Sequence, residues 1–201
     1  MNTHPLFVPA SADDIDRMIA AHPFALVISS DAGMPVATPL PLLLERHTDG
    51  SIALLGHIPR ATPHAQLMRR APRAMVVFQG PHGYISPSWL ADRTQAPTWN
   101  YETVQFDVEI EFDDRAEATD VALERLVEHM ERHRPDAWSV ADMGPRYATL
   151  AQAVVAFRAR VTATRARFKL GQDERPDVHA DILTGLARTG QQPLLHAVVR
   201  A

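Results

Sequence analysis

Apolar and polar residues alternate most regularly over residues 104–112. Apolar side chains occupy every second position there, with polar or acidic ones between them, which is the pattern of a β-strand with one buried face. Shorter apolar runs bounded by turn residues predict further antiparallel strands. Those runs cover residues 24–30, 36–45, 51–57, 74–78 and 155–161. The chain is therefore predicted to contain about six strands, most of them antiparallel to their neighbours.

Apolar residues at helical spacing predict helices between and beyond these strands. The first helix is predicted to begin after an N-cap at Ser11 and to close near residue 22, with Ile15, Met18 and Ile19 on one face. Three more helices are predicted, at residues 59–70, at residues 119–134 with Thr119 or Asp120 as the cap, and at about 176–188.

These elements indicate a mainly β fold, a small barrel with peripheral helices. A chain of 201 residues with 46% hydrophobic content can bury a sizeable core. We expect a single domain over residues 1–189, followed by a tail of uncertain structure over residues 190–201.

Residues 79–98 are rich in glycine, proline and aromatic side chains without any period, which predicts a long ordered loop. Such a composition suits a flat ligand, but it equally suits a structural loop that its rings anchor to the core, and composition favours the structural interpretation. At the end of this loop, Trp99, Asn100 and Tyr101 place an amide between two rings at a strand entry. They suit either a flat hydrogen-bonding ligand or core packing.

Residues 56–64 end a strand and open a helix, where free backbone N–H groups can meet a phosphate. Arg60 and Thr62 lie in this segment, although a threonine there also serves as a helix cap. His57 and His64 have no third metal ligand at a suitable spacing, so no metal site is predicted.

The charge pattern argues against a protein that wraps nucleic acid, because the net charge is −4 and the basic residues are dispersed. Arg158 and Arg160 share one strand face, and Arg165, Arg167 and Lys169 have the opposite parity. Either set can meet phosphate, solvent or acidic neighbours. The absence of cysteine excludes disulfides and thiolate sites. With no apolar run long enough to span a bilayer, we expect a cytoplasmic protein.

Seven segments spread over almost the whole chain carry a resemblance to a known family. They are residues 7–9, 56–57, 77–82, 84–89, 97–101, 168–170 and 172 to about 188. In these segments the chain resembles the FMN-binding negative transcriptional regulators typified by PaiB. The resemblance implies a split β-barrel related to the pyridoxamine phosphate oxidase-like FMN-binding fold, and a homodimer with flavin sites between subunits.

The resemblance also implies roles for individual residues. His57, Arg60 and Thr62 would form a phosphate-binding corner. Trp99, Asn100 and Tyr101 would neighbour the flavin, and Lys169 and Gln172 would reach it from the partner subunit. Where the family has serine and asparagine around this glutamine, the chain has Gly171 and Asp173. Asp173 adds a negative charge that would repel a phosphate facing it.

Three functions follow as hypotheses. The first is an FMN-binding dimer that represses transcription, with DNA binding implied by the resemblance only. The second is an FMN-dependent oxidoreductase that takes hydride from NAD(P)H and passes electrons to a small acceptor. The third is a module that binds another planar ligand. No residue is predicted as a general acid or base.

Overall fold

The computed structural model describes residues 4–201 and contains a closed barrel of six strands. The strands are β1 (Phe24–Ser29), β2 (Val36–Arg46), β3 (Ile52–Pro59), β4 (Arg73–Ile85), β5 (Thr98–Asp113) and β6 (Val154–Lys169). They follow one another around the barrel in the order β1-β2-β3-β6-β5-β4. The β1–β2, β1–β4, β2–β3 and β3–β6 pairs are antiparallel. The predicted fold class, a split β-barrel with peripheral helices, is confirmed.

Helices lie between and after the strands. They are α1 (Ala12–Ala21), α2 (Pro63–Arg70), α3 (Ala116–Glu131), α4 (Arg146–Gln152), α5 (Pro176–Arg188) and α6 (Gln192–Arg200). Ser11 caps α1 as predicted, because the Asp14 N–H donates to Ser11 Oγ while the Ser11 N–H donates to the Asp14 carboxylate. Helix α5 has the predicted bounds. The tail contains α6, whose Leu194, Ala197 and Val198 are buried at helical spacing.

The predicted loop over residues 79–98 is too long, since β4 continues to Ile85 and β5 already begins at Thr98. Glycines in this stretch suggested a loop, but here they permit close packing. A Cβ on Gly80 would lie 2.8 Å from Met18 Cγ, and one on Gly83 would overlap the Gln191 side chain. The glycines therefore remain inside an extended strand because other elements approach its backbone.

The prediction for α3 is wrong at both ends. The helix begins at Ala116 after Arg115, so Thr119 lies inside it and is buried, and it ends at Glu131 rather than at Arg134. The predicted apolar stripe is also only partly buried, because Val121 and Met130 are exposed. The first turn contains no good capping side chain, which is why the sequence placed the start too late. The short helix α4 and a 3-10 helix at Val140–Met143 were not predicted.

The chain divides into two compact units. The first comprises the described residues up to Ala21 together with Gln79–Val104 and Arg165–Ala201, and it contains α1, α5 and α6. Within it, Trp89 packs directly on Gly185 of α5. The second comprises His22–Phe78 and Gln105–Thr164, with large buried side chains at Phe78, Phe106 and Phe157. Strands β4, β5 and β6 contribute residues to both units.

One outward face of the second unit carries an apolar patch. Leu26 of β1 lies opposite Pro39 of β2 and Val77 of β4, and the patch continues over apolar neighbours on these strands until it meets the exposed Arg73 at the start of β4. We define this apolar outer face as Phe24, Leu26, Ile28, Ala37, Pro39, Pro41, Met75 and Val77. Within residues 4–201, no helix combines the length and the apolar composition needed to cross a membrane.

Replacing Gly56 by alanine should destabilise the second unit. A Cβ at this position of β3 would overlap Leu42 Cδ2 and come within 3.0 Å of Phe157 Cζ, and both side chains are buried. Overpacking of this kind costs about 1–3 kcal/mol in the free energy of unfolding. Urea denaturation measures it. Gly33→Ala is the matched control, because nothing lies within 4 Å of its Cβ. Equal unfolding midpoints for the two variants would contradict the prediction.

Glu102 should make the stability of the protein depend on pH. The side chain is only 3% exposed, and burial raises its pKa although Arg200 and Arg17 oppose the shift. Above the ordinary glutamate pKa of about 4.3, the unfolded chain loses this proton while the folded chain keeps it. Stability therefore falls as pH rises through this window.

Glu102→Gln removes this effect. We expect its melting temperature to exceed that of the wild type at about pH 7, with the difference shrinking towards about pH 4. Glu111→Gln, at an exposed position of the same strand, is the control and should show no such trend. A pH-independent difference for Glu102→Gln would show that lost packing, and not the raised pKa, determines the result.

Candidate functional site

The start of β5 separates the three residues predicted to neighbour a flavin. Side chains alternate along a strand, so Trp99 and Tyr101 share one face while Asn100 points to the other. Trp99 is 55% exposed and Asn100 is 1% exposed. The amide therefore does not lie between the two rings in space, as it does in the sequence.

Trp99 forms part of an exposed aromatic pair. The Tyr84 ring of β4 packs edge-on against it, with 6.1 Å between centroids and 60° between the ring planes. Both rings keep a large exposed area. The pair offers a flat apolar platform with polar atoms at its edges, and Tyr84 was not among the predicted site residues.

Lys169, the last residue of β6, lies beside this platform. Its Nζ donates to Thr98 Oγ1 at 2.6 Å and to the Trp99 carbonyl oxygen at 3.4 Å. Within residues 4–201 no carboxylate forms an ion pair with it. It is also the only lysine among the 20 Lys and Arg residues of the chain. The presence of a single lysine distinguishes position 169 in the sequence, and the family motif alone did not show this.

Gln172 fixes the turn that follows Lys169. Its Oε1 accepts from the Leu170 N–H and its Nε2 donates to the Phe168 carbonyl, both at 2.7 Å. Gly171 sits inside this turn with a φ of +88°, a conformation that favours glycine and explains its presence where the family has serine. In the described chain, Lys169 thus lies next to the Trp99 backbone of its own subunit.

Asn100 carries a buried donor without a partner. Its Nδ2 forms no hydrogen bond within the described residues. A Cβ on Gly171 would lie 3.6 Å from this nitrogen. An unsatisfied buried donor costs roughly 1–3 kcal/mol, so an acceptor brought to this atom would be stabilising.

The residues of the predicted phosphate corner lie in the second unit. His57 is half-buried, burial lowers its pKa, and its Nδ1 has no partner among the described residues. Thr62 caps α2: its Oγ1 accepts from the Ala65 N–H at 3.2 Å and donates to the Pro59 carbonyl at 3.0 Å. The hydroxyl therefore already has partners within the chain.

Arg60 belongs to a charge cluster that the sequence did not predict. Its Nη1 donates to Asp114 at 2.6 Å and its Nη2 to the Val154 carbonyl at 3.1 Å. Arg69 binds the same carboxylate with both Nη atoms, and its guanidinium lies 4.2 Å from the Phe112 ring centroid. The hydrogen bonds from Arg69 and then Arg60 lower the pKa of Asp114. Two cations share one anion, which leaves the cluster positive.

Two of the remaining basic candidates form ion pairs. Arg158 shares Glu45 with Arg125, and Arg160 pairs with Glu109. His64 is buried, with its Nδ1 2.6 Å from Thr38 Oγ1. Within residues 4–201, no group of three or more His, Asp or Glu side chains is placed to hold a metal ion.

Comparison with known proteins gives a family and a fold. A profile of the family FMN_bind_2, described as "Putative FMN-binding domain", matches residues 1–163. The Bacillus subtilis (strain 168) protein named "Protease synthase and sporulation protein PAI 2" is 29% identical over 184 residues, which are 90% of this chain and 86% of that protein.

Two solved structures share the fold. The FAD and heme binding protein from Mycobacterium smegmatis superposes with a TM-score of 0.63 at 18% identity, covering 88% of this chain and 79% of that one. The flavocytochrome Anf3 from Azotobacter vinelandii gives a TM-score of 0.62 at 15% identity, covering 80% and 68%. These identities show the shared fold alone. Since the family profile spans residues 1–163 of the 201, the chain belongs to the FMN_bind_2 family.

Proposed function

We propose that this protein binds FMN as a homodimer, with flavin sites between subunits, and acts as a negative transcriptional regulator of the PaiB type. Family membership and the similarity to the PAI 2 protein support this function. The observation that carries the flavin part is the Lys169 ammonium, which has no ion pair in the described chain and donates to the backbone carbonyl of Trp99, a residue that is itself exposed.

The surroundings of Lys169 fit a flat anionic ligand. Trp99, with Tyr101 on the same strand face, supplies planar contact area, and Lys169 supplies a positive charge at its edge. Asn100 points to the opposite, buried face of β5, so a ring lying on Trp99 would not reach its Nδ2. Gln172 holds the turn that sets the position of Lys169. We therefore propose Trp99, Tyr101 and Lys169 as the ring-side contacts of FMN, with Asn100 and Gln172 holding the strand and the turn that carry them.

A second anchoring set is proposed for the phosphate, at His57, Arg60 and Thr62. The cluster of Arg60, Arg69 and Asp114 retains a net positive charge, which favours a phosphate dianion. His57 is neutral and has a nitrogen without a partner. A phosphate bound at Arg60 would compete with Asp114 for the guanidinium.

An oxidoreductase is the second candidate function. When bound, a flavin would supply hydride or electron transfer, and the exposure of Trp99 and Tyr84 would leave its surroundings open to a co-substrate. The residues proposed here hold and orient the ligand. Under anaerobic conditions, rapid bleaching of bound FMN by NAD(P)H supports the oxidoreductase, whereas an inert flavin contradicts it.

The regulatory function is tested by the binding of the dimer to its own promoter region. We expect purified protein to retard this DNA in a gel, with a shift that depends on FMN. An unrelated fragment of equal length is the control. Failure to retard the promoter fragment both with and without FMN would contradict the regulatory function and leave flavin binding unaffected.

The apolar outer face supports the homodimer. Its eight members carry no charged or polar side chain, although Phe24 is 65% exposed. A monomeric soluble protein rarely leaves such a contiguous patch in water, so the face is suited to burial against a second copy.

Removing the charge of Lys169 should weaken flavin binding. We expect Lys169→Met to raise the FMN dissociation constant at least tenfold, because a hydrogen bond to a charged group contributes roughly 1.5–3 kcal/mol. Lys169→Arg should recover part of the loss. Arg188→Met, which removes an exposed positive charge from the same unit, is the control. Flavin fluorescence titration measures all four proteins, and equal constants would contradict the proposal.

The same lysine permits a direct test of contact. Since it is the only lysine in the chain, an amine-acetylating reagent has a single side-chain target. Bound FMN should slow acetylation of the peptide containing Lys169, as read by mass spectrometry, while acetylation of the N-terminal amine serves as the internal reference. If saturating FMN left the acetylation rate of Lys169 unchanged, the flavin would have to bind elsewhere.

Placing a charge on the apolar outer face should dissociate the dimer. Leu26→Arg would bury an unpaired guanidinium in the interface, so we expect a monomer at micromolar concentration by light scattering coupled to gel filtration. Val121→Arg places the same charge at an exposed apolar position of α3 and should leave the dimer intact. A dimeric Leu26→Arg variant would assign the interface to another surface.

A further inference from the structure

The second unit contains an apolar cavity separate from every residue of the proposed flavin site. Its volume is about 400 Å³, and it lies between α3, the 3-10 helix Val140–Met143 and α4. Leu123, Val127, Trp138 and Leu150 contribute to its wall, and no charged side chain does. A concave apolar space of this size falls in the range that holds small organic molecules in proteins.

A polar chamber adjoins this cavity. It has a volume of about 450 Å³ and shares Tyr147 and Ala151 with the apolar cavity as wall residues. Thr119 lines it and is 3% exposed, yet its hydroxyl has no hydrogen-bond partner within the described residues. A buried hydroxyl left without a partner is rare in folded proteins and indicates a missing donor or acceptor.

The ionic groups around the chamber are hydrogen-bonded, although the cluster of Arg60, Arg69 and Asp114 keeps its net positive charge. Arg60 binds Asp114, and the Tyr147 hydroxyl donates to Asp120 at 2.6 Å. Burial and the bond to Asp120 raise the pKa of Tyr147, so this hydroxyl stays protonated. The apolar cavity offers no charged partner, which favours a neutral molecule over an ionic one, and the chamber adds the unpartnered Thr119 hydroxyl.

We propose that these two adjoining cavities form a second ligand site for a small neutral aromatic molecule with one hydroxyl group. The ring would lie in the apolar cavity against Trp138 and Tyr147, and the hydroxyl would point into the chamber towards Thr119. The volume of the apolar cavity suits a small molecule of this kind, so its proposed occupant is a small molecule and not a protein partner. The second ligand site does not depend on the proposed function. Arg60 is the one residue that it shares with the proposed flavin contacts, and Arg60 lines the polar chamber but not the apolar cavity.

The test uses the full-length protein and the neutral fluorophore N-phenyl-1-naphthylamine. We expect its fluorescence to rise on binding, with one molecule per chain. Ala151→Trp, which fills the wall shared by both cavities, should weaken binding at least tenfold while keeping the melting temperature and FMN titration of the wild type. Leu26→Arg controls for adsorption on the apolar outer face and should bind the fluorophore as the wild type does.

A matched ligand pair tests the polar chamber. In displacement of the fluorophore, 1-naphthol should compete better than naphthalene, and Thr119→Val should reduce that preference by about threefold to tenfold, as expected for one hydrogen bond. The measured quantity is the ratio of the affinities for 1-naphthol and naphthalene. Comparing this ratio between the wild type and Thr119→Val removes the contribution of the different hydrophobicity of the two ligands.

Three outcomes would overturn the proposal. The first is that the wild type does not bind the fluorophore. The second is that Leu26→Arg abolishes binding while Ala151→Trp leaves it intact. The third is that Thr119→Val prefers 1-naphthol over naphthalene as strongly as the wild type does. Each of these is compatible with normal FMN binding, so the second ligand site and the flavin site fail separately.

Discussion

The alternation of side chains along the start of β5 is the constraint on which the candidate flavin contacts depend. It buries Asn100 and Glu102 and leaves Trp99 and Tyr101 on the opposite face. Because the period of a strand is two residues, a shift of one residue would exchange these sets, burying the indole and exposing the carboxyl group. The Lys169 bond to Thr98 ties the first residue of β5 to the end of β6, and the Gln172 amide holds the turn beyond it.

Local pairing of charges determines which basic residues remain free to meet an anion. Arg158 and Arg160 lie on one face of β6, where Arg158 shares Glu45 with Arg125 and Arg160 pairs with Glu109. Lys169 lies at the far end of that strand, where its described partners are a hydroxyl and a carbonyl oxygen. A chain of net charge −4 therefore concentrates its unpaired positive charge at particular places, such as Lys169.

Elements with a strong internal period were predictable from the sequence, and contacts between distant segments were not. The alternation through Val104, Phe106 and Val108 and the cap at Ser11 depend on neighbouring residues, so β5 and α1 were found. Gly80 and Gly83 were misinterpreted because their meaning depends on what packs against them. The segment Trp99–Tyr101 was predicted from its own residues, whereas its link to Lys169 and the Arg69–Asp114 bond join residues far apart in the chain.

Asn100 and Thr119 belong to a small set of buried polar side chains with an atom that has no hydrogen-bond partner among the described residues, a set that also includes Ser29, His57 and His64. The Asn100 amide nitrogen and the Thr119 hydroxyl each lie on an otherwise regular element, β5 or α3, and each remains without a hydrogen bond among the described residues. Neither residue is needed there for strand or helix propensity, since apolar side chains of similar size would pack without leaving a polar atom unmatched. An atom that supplied the missing partner at either position would therefore gain a hydrogen bond that the described residues do not make.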